Sequence, residues 1–227
     1  MGVLRSAFTF TAYTSLATAG TLFALTRKSK VGPVPPSDYI FSNTLYARYN
    51  PNNAPVTHDI CVRRVPLNKV KPELLENNGK LVESFCAGVW GGLGYAYQRR
   101  FLEKKYRGPE TATQLWDRSQ LKTSEYPVGT QITDHFEVVS KNSDSIIVRC
   151  GDSPRKVDVR ESDGLFEMLA EVKPAEGVVE FGLKSVFYNG LAPADKDGKG
   201  PMTPWIQWLH AQYDKFLMET AIRNCMN

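Results

Sequence analysis

Few side chains in this sequence stand where they could do chemistry. Strand alternation over 132–139 places Asp134 on one face with Ile132, Phe136 and Val138. Ser185 falls in the same way among Val179, Phe181, Leu183 and Phe187. A carboxylate on an apolar face is costly unless it is paired or neutral. Asp134 is therefore tied into a structural hydrogen bond, or it faces a ligand cavity. In a cavity its pKa would rise toward the range of a working acid or base. His135 sits beside Glu137 and reads as half of a surface ion pair, while His58 and His210 have no visible partner. The three histidines share no ligand spacing, so no metal centre is expected. Cys61, Cys86, Cys150 and Cys225 are scattered and read as buried reduced thiols. No cofactor is implied.

Two further stretches carry polar or glycine-rich patterns. Gly88, Gly91, Gly92 and Gly94 flank Trp90. No strand precedes them and no P-loop lysine follows, so close helix–sheet packing is expected rather than a phosphate cradle. Trp90 would cover a core or the mouth of a pocket. The segment GDSPRKVDVRESDG, 151–164, lacks the oxygen spacing of a calcium loop. It is either a self-neutralising surface loop or an entrance loop, with Arg155 or Arg160 meeting an acidic ligand group.

The elements that would position these residues follow from periodicity. Over 126–188 alternating apolar runs are separated by SKNSDS, GDSPRKVDVRESD and KPAEG, the pattern of an antiparallel meander. Apolar faces fall on Ile146, Val148 and Cys150, on Phe166, Met168, Ala170 and Val172, and on the Val179–Phe187 series. A further strand starts at His58 and ends at Pro66. Five strands are counted, and 39–49 or 155–160 would supply a sixth. A helical region over 80–106 breaks at the glycines, with Leu81, Phe85 and Val89 on one inward stripe and Tyr97 and Phe101 continuing it. Residues 107–125 form a polar connector with a helical turn near Leu115 and Trp116. Thr203-Pro204 opens a last helix running to about Asn224, striped by Trp205, Leu209 and Tyr213. It is long enough to lie across the whole sheet. The segment ADKDGKGPM links it to the strands.

The first thirty residues differ from the rest. AFTFTAYTSLATAGTLFALT, 7–26, carries no charge and is long enough to span a bilayer. Arg27, Lys28 and Lys30 follow it, which orients the body to the cytosol by the positive-inside rule. The segment reads as a single-pass anchor, with a signal peptide and a mitochondrial presequence as alternatives. The formal net charge of +4 draws on this end, and the remainder is nearly balanced, so no nucleic-acid face is expected. The chain divides into an anchor, 1–30, a Pro- and Asn-rich linker, 31–57, and one α+β domain, 58–227. Part of the linker, DYIFSNTLYARY, packs on the domain or lies at the membrane surface.

A strand, two helices broken by glycines, an antiparallel series and a long terminal helix make an order that resembles the helix-grip fold of the START and polyketide-cyclase-like superfamily. The blocks CAGVWGGLGYAYQRR and VRESDGLFEMLAEVK also resemble uncharacterised fungal proteins of the same tail-plus-domain layout. The resemblance implies a curved antiparallel sheet gripping the C-terminal helix around an apolar cavity. Trp90, Phe136, Cys150, Arg160, Met168, Phe181, Ser185, Trp205, Leu209 and Tyr213 would then be its ligand-binding residues. The expected function is membrane-tethered binding of a hydrophobic small molecule or lipid. The alternative is an isomerase or cyclase of hydrophobic secondary metabolites, with Asp134 as acid or base. The expected membrane is that of the endoplasmic reticulum, with a mitochondrial membrane as the alternative. A structural adaptor with a filled core is a third reading.

Overall fold

The structure, a computed structural model, describes residues 20–194 and 198–227. Most of the expected anchor, 7–26, lies outside the described residues. Residues 20–26 are helical, and among the described residues no helix is long and apolar enough to cross a membrane.

Seven strands form one curved antiparallel sheet. They are β1 (Lys30–Gly32), β2 (Thr57–Pro66), β3 (Gln131–Ile132), β4 (Phe136–Lys141), β5 (Ser145–Gly151), β6 (Asp163–Lys173) and β7 (Val178–Tyr188). Their order is β1-β2-β7-β6-β5-β4-β3. The four runs with clear alternation, β2, β5, β6 and β7, occupy the middle. Two strands beyond the five counted from sequence are β1 and β3. They do not come from 39–49, which forms a 3-10 turn (Tyr39–Ser42) and helix α1 (Thr44–Tyr49), nor from 155–160.

The expected strand over 132–139 is a hairpin. Ile132 pairs with Phe136, and Thr133 and Asp134 both take the left-handed conformation, at φ 49° and 56°. His135 N–H donates to the Ile132 carbonyl at 3.2 Å, closing the turn. Positive φ at both central residues is what a type I′ hairpin turn requires. The turn cancels the alternation that put Asp134 on the Phe136 face.

Five more helices complete the fold: α2 (Pro72–Glu76), α3 (Lys80–Gly91), α4 (Leu93–Tyr106), α5 (Arg118–Thr123) and α6 (Pro204–Ala221). The break expected at the glycines falls at Gly92, between α3 and α4. On α3 the predicted stripe of Leu81, Phe85 and Val89 is buried, with Val82 and Cys86 beside it. On α4 the expectation fails. Tyr97 is 85% exposed and Phe101 is exposed, while Tyr95 and Leu102 point inward. Four-residue spacing says that two residues share a face, but not which way that face points.

Helix α6 packs on α3 and α4 through glycine. A Cβ at Gly88 would stand 2.2 Å from the Ala221 carbonyl oxygen, and one at Gly94 2.9 Å from Leu217 Cα. The close packing at the glycines is therefore helix on helix and not the expected helix on sheet, because they face α5 and α6. Leu217, Met218 and Ala221 are buried, but Trp205, Ile206, Trp208 and Leu209 are exposed, with the two indoles stacked 4.9 Å apart. Only the C-terminal part of the helix is seated in the core.

The other sheet face is covered too. Val34, Ile40, Tyr46 and Tyr49, from the stretch expected to be a linker, pack against Ile147, Leu165, Val186 and Tyr188. Lys184, on this expected wetter face, is buried between Asp38 at 2.9 Å and Glu167 at 2.8 Å. Tyr39 and Ser145 donate to the same Glu167. Beside it Arg149 makes two contacts with Asp163, at 2.9 and 2.6 Å, and lies 3.9 Å from the Tyr49 ring. Charged pairs buried this way replace solvent with protein partners.

Candidate functional site

Between the helix-facing side of the sheet and α4 and α6 lies a cavity of about 470 Å³. That size is within the range of about 300–1,000 Å³ typical of small-molecule sites. Its apolar wall is built largely of aromatic rings. Trp90 from the end of α3 stands 4.6 Å from Phe136, 5.0 Å from Tyr95 and 6.0 Å from Phe166 by ring centroid. Phe187 and Leu217 close the side toward α6. The strand period delivers Phe136 and Cys150 from paired positions on β4 and β5, and Ser185 and Phe187 from alternate positions on β7.

One wall is polar. His210 and Asp214 stand one turn apart on α6 and share a face. His210 Nδ1 lies 3.0 Å from Asp59 Oδ2 on β2 and 3.3 Å from Asp214 Oδ2. Burial pushes the Asp214 carboxyl well above the usual carboxylate range, against the pull of His210. Burial also disfavours a charged His210, but the hydrogen bond to Asp59 and the charges of Asp214 and Asp59 outweigh it and raise its pKa. Ser185 is the register partner of Asp59 across β2 and β7, and lines the cavity. Tyr213 donates to Gln98 at 3.0 Å on the same side. Near the other side His135 packs 4.7 Å from the Tyr106 ring, with its pKa lowered by burial. It makes no pair with Glu137 of the kind expected.

Of the residues expected in the site, Trp90, Phe136, Cys150, Ser185 and Tyr213 line the cavity. Met168 and Phe181 lie in the packed core instead, Phe181 against Phe85 at 4.9 Å. Trp205 and Leu209 are exposed, on the N-terminal part of α6 that is not seated in the core. Arg160 is 1% exposed and holds the loop together, donating to the Lys156 carbonyl at 2.8 Å and the Asp152 carbonyl at 3.0 Å.

Asp134 does not line the cavity either. It is 1% exposed and accepts from Ser153 at 2.6 Å, Gln114 at 3.2 Å and Arg155 at 3.3 Å. Burial raises its pKa, but these donors outweigh burial and hold the carboxyl below the usual range. This is the opposite of the rise that a cavity would produce. Asp134 carries the structural role, fixing the β3–β4 turn to the 151–164 loop.

The polar residues that sequence reading missed are Asp59, His210 and Asp214. A signal was present: His210 and Asp214 are i, i+4 neighbours on a helix that must face a sheet. Asp59 is hidden because a single strand does not say which of its faces meets that helix.

Comparison with known proteins finds no matching family model, no curated relative and no similar solved structure.

Proposed function

We propose that this chain holds a hydrophobic small molecule or lipid in the cavity between the sheet and α6, close to a membrane. The observation that carries the reading is the cavity itself, with a cluster of aromatic rings on its apolar wall and a few polar groups, chiefly His210 and Asp214, around it. Apolar burial supplies affinity in such a site, and a few polar groups fix orientation. A sheet curved against one C-terminal helix is also what a helix-grip relationship would give. Membrane tethering rests on the uncharged 7–26 segment and its basic flank. The exposed Trp205–Trp208 pair is the kind of aromatic surface that interfacial contacts use. The endoplasmic reticulum and the mitochondrion are the two candidate membranes.

The test uses the full chain in mild detergent and the neutral apolar probe N-phenyl-1-naphthylamine. The probe gains fluorescence on saturable binding, and Cys150→Phe, which fills the cavity, removes that gain while the circular dichroism spectrum is kept. Organic extraction of the purified chain yields a bound apolar molecule by mass spectrometry. Equal probe binding by Cys150→Phe would refute the cavity as the site. Alkaline carbonate extraction tests the tether: release of the chain into the soluble fraction refutes it.

A second reading is an isomerase or cyclase acting in the same cavity. His210 and Asp214 favour it, since a proton donor and acceptor stand side by side at the cavity wall. In that reading they, rather than Asp134, move the proton.

A further inference from the structure

We propose that Asp59, His210 and Asp214 bind one divalent cation at the polar wall of the cavity. The inference rests on donor geometry and does not depend on what the apolar part of the cavity holds.

The three residues bring one imidazole nitrogen and two carboxylate oxygens within 4.8 Å of one another. His210 Nδ1 stands 3.0 Å from Asp59 Oδ2 and 3.3 Å from Asp214 Oδ2. Nitrogen and oxygen ligands lie about 2.0–2.2 Å from zinc, so neighbouring ligand atoms stand about 3.0–3.5 Å apart. The two separations from His210, 3.0 and 3.3 Å, match that spacing, and all three atoms lie within 4.8 Å of one another. They come from two regular elements, the middle of β2 and one half-buried turn of α6, which bring them to the same point.

The hydrogen bonding points the same way. Asp214 is 2% exposed, and its Oδ2 has no hydrogen-bond partner among the described residues; Asp59 Oδ1 is buried and lacks one too. Ser185 Oγ, across the β2–β7 ladder from Asp59, is a third buried oxygen without a partner. Buried polar atoms are normally satisfied, and each one left bare is costly. A proton shared between the two carboxylates satisfies one lone pair and leaves the other oxygens bare. A dication answers the paired negative charge and the bare lone pairs together. One nitrogen with two carboxylate oxygens and no thiolate suits zinc or manganese. His210, Asp214 and Ser185 line the cavity, so the remaining positions of the ion would face it.

The experiment uses the full chain stripped with EDTA. Manganese(II) is titrated in and the free ion is followed by electron paramagnetic resonance. One ion is bound per chain, and zinc(II) displaces it. Asp214→Asn and Asp59→Asn, on different elements, each weaken binding by more than about tenfold. On the unaltered chain, zinc(II) shifts the Nδ1 resonance of His210 in long-range proton–nitrogen spectra, while those of His58 and His135 stay in place. No binding at millimolar ion overturns the proposal. So does equal binding by both variants, or a zinc-induced shift at another histidine in place of His210.

Discussion

Arg155 reaches back from the 151–164 loop to Asp134, placing Nη2 3.3 Å from Oδ2 at the apex of the β3–β4 turn. Asp134 holds its left-handed backbone under three side-chain donors. Its folded pKa is lowered, so its contribution is fully present above the unfolded value of about 3.9. The contribution is lost as pH falls from there through the folded value. Asp134→Asn should cost about 1.5–3 kcal/mol at neutral pH, the range for hydrogen bonds to charged groups. It should also flatten the acid limb of stability. Urea melts at pH 7 and pH 3.5 check both: an unchanged difference between the two pH values would refute the account. Turnover, if a substrate is found, should survive the change.

Gly88 lies under the Ala221 carbonyl with no room for a methyl group. The obstruction is backbone, which cannot swing aside. Gly88→Ala should push α6 off α3 and cost about 1–3 kcal/mol, as overpacking does. Helix propensity works in the other direction, since alanine favours a helix by about 1 kcal/mol over glycine. A gain in urea midpoint would mean that propensity wins and the close approach is dispensable. Gly108, which has open space around its Cβ position, is the control.

The sheet was legible because its central strands alternate cleanly. Phe166, Met168 and Ala170 could be assigned to one face without knowing what covered it. What failed was local chemistry that overrides a period. The Thr133-Asp134 turn interrupts a run that alternates on paper, and that single error made Asp134 the favoured catalytic group. The polar cluster at the cavity escaped because it is assembled across elements. His210 and Asp59 are distant in sequence, and nothing in either segment names the other. The N-terminal strip escaped for a different reason. Prolines and asparagines in 31–57 signal irregular backbone, and irregular backbone can still bury Ile40 and Tyr46 once Asp38 and Asn43 cap its short turns.

Lys184 and Glu167 form an ion pair at 2.8 Å beneath that strip. Removing one partner of a buried pair strands the other charge, typically at about 3–5 kcal/mol. Lys184→Met should therefore destabilise strongly. Adding Glu167→Leu should recover part of the loss, because no charge is then stranded on the sheet, while Asp38, Tyr39 and Ser145 still lose a partner. A double-mutant cycle in urea reads the coupling directly. Additive losses would show that the pair is solvated in solution and that the strip sits loosely.

Residues 30–57 should behave as part of the domain. They supply β1, which covers the edge of β2, and the side chains that cover Ile147, Leu165 and Val186 on the far face of the sheet. They also supply Asp38 and Tyr39 to the buried Lys184–Glu167 pair. A chain cut to 58–227, the boundary that sequence composition suggests, would expose that face and a bare strand edge together. Burying Val34, Ile40, Tyr46 and Tyr49 is worth on the order of 5 kcal/mol or more at about 25 cal/mol per Å². That is comparable to the whole stability of many domains, about 5–15 kcal/mol. The 58–227 fragment should be unfolded or aggregated, and a 27–227 fragment should melt near the full chain. Thermal unfolding followed by circular dichroism distinguishes them. If 58–227 melts within a few degrees of 27–227, the strip is an attached linker after all.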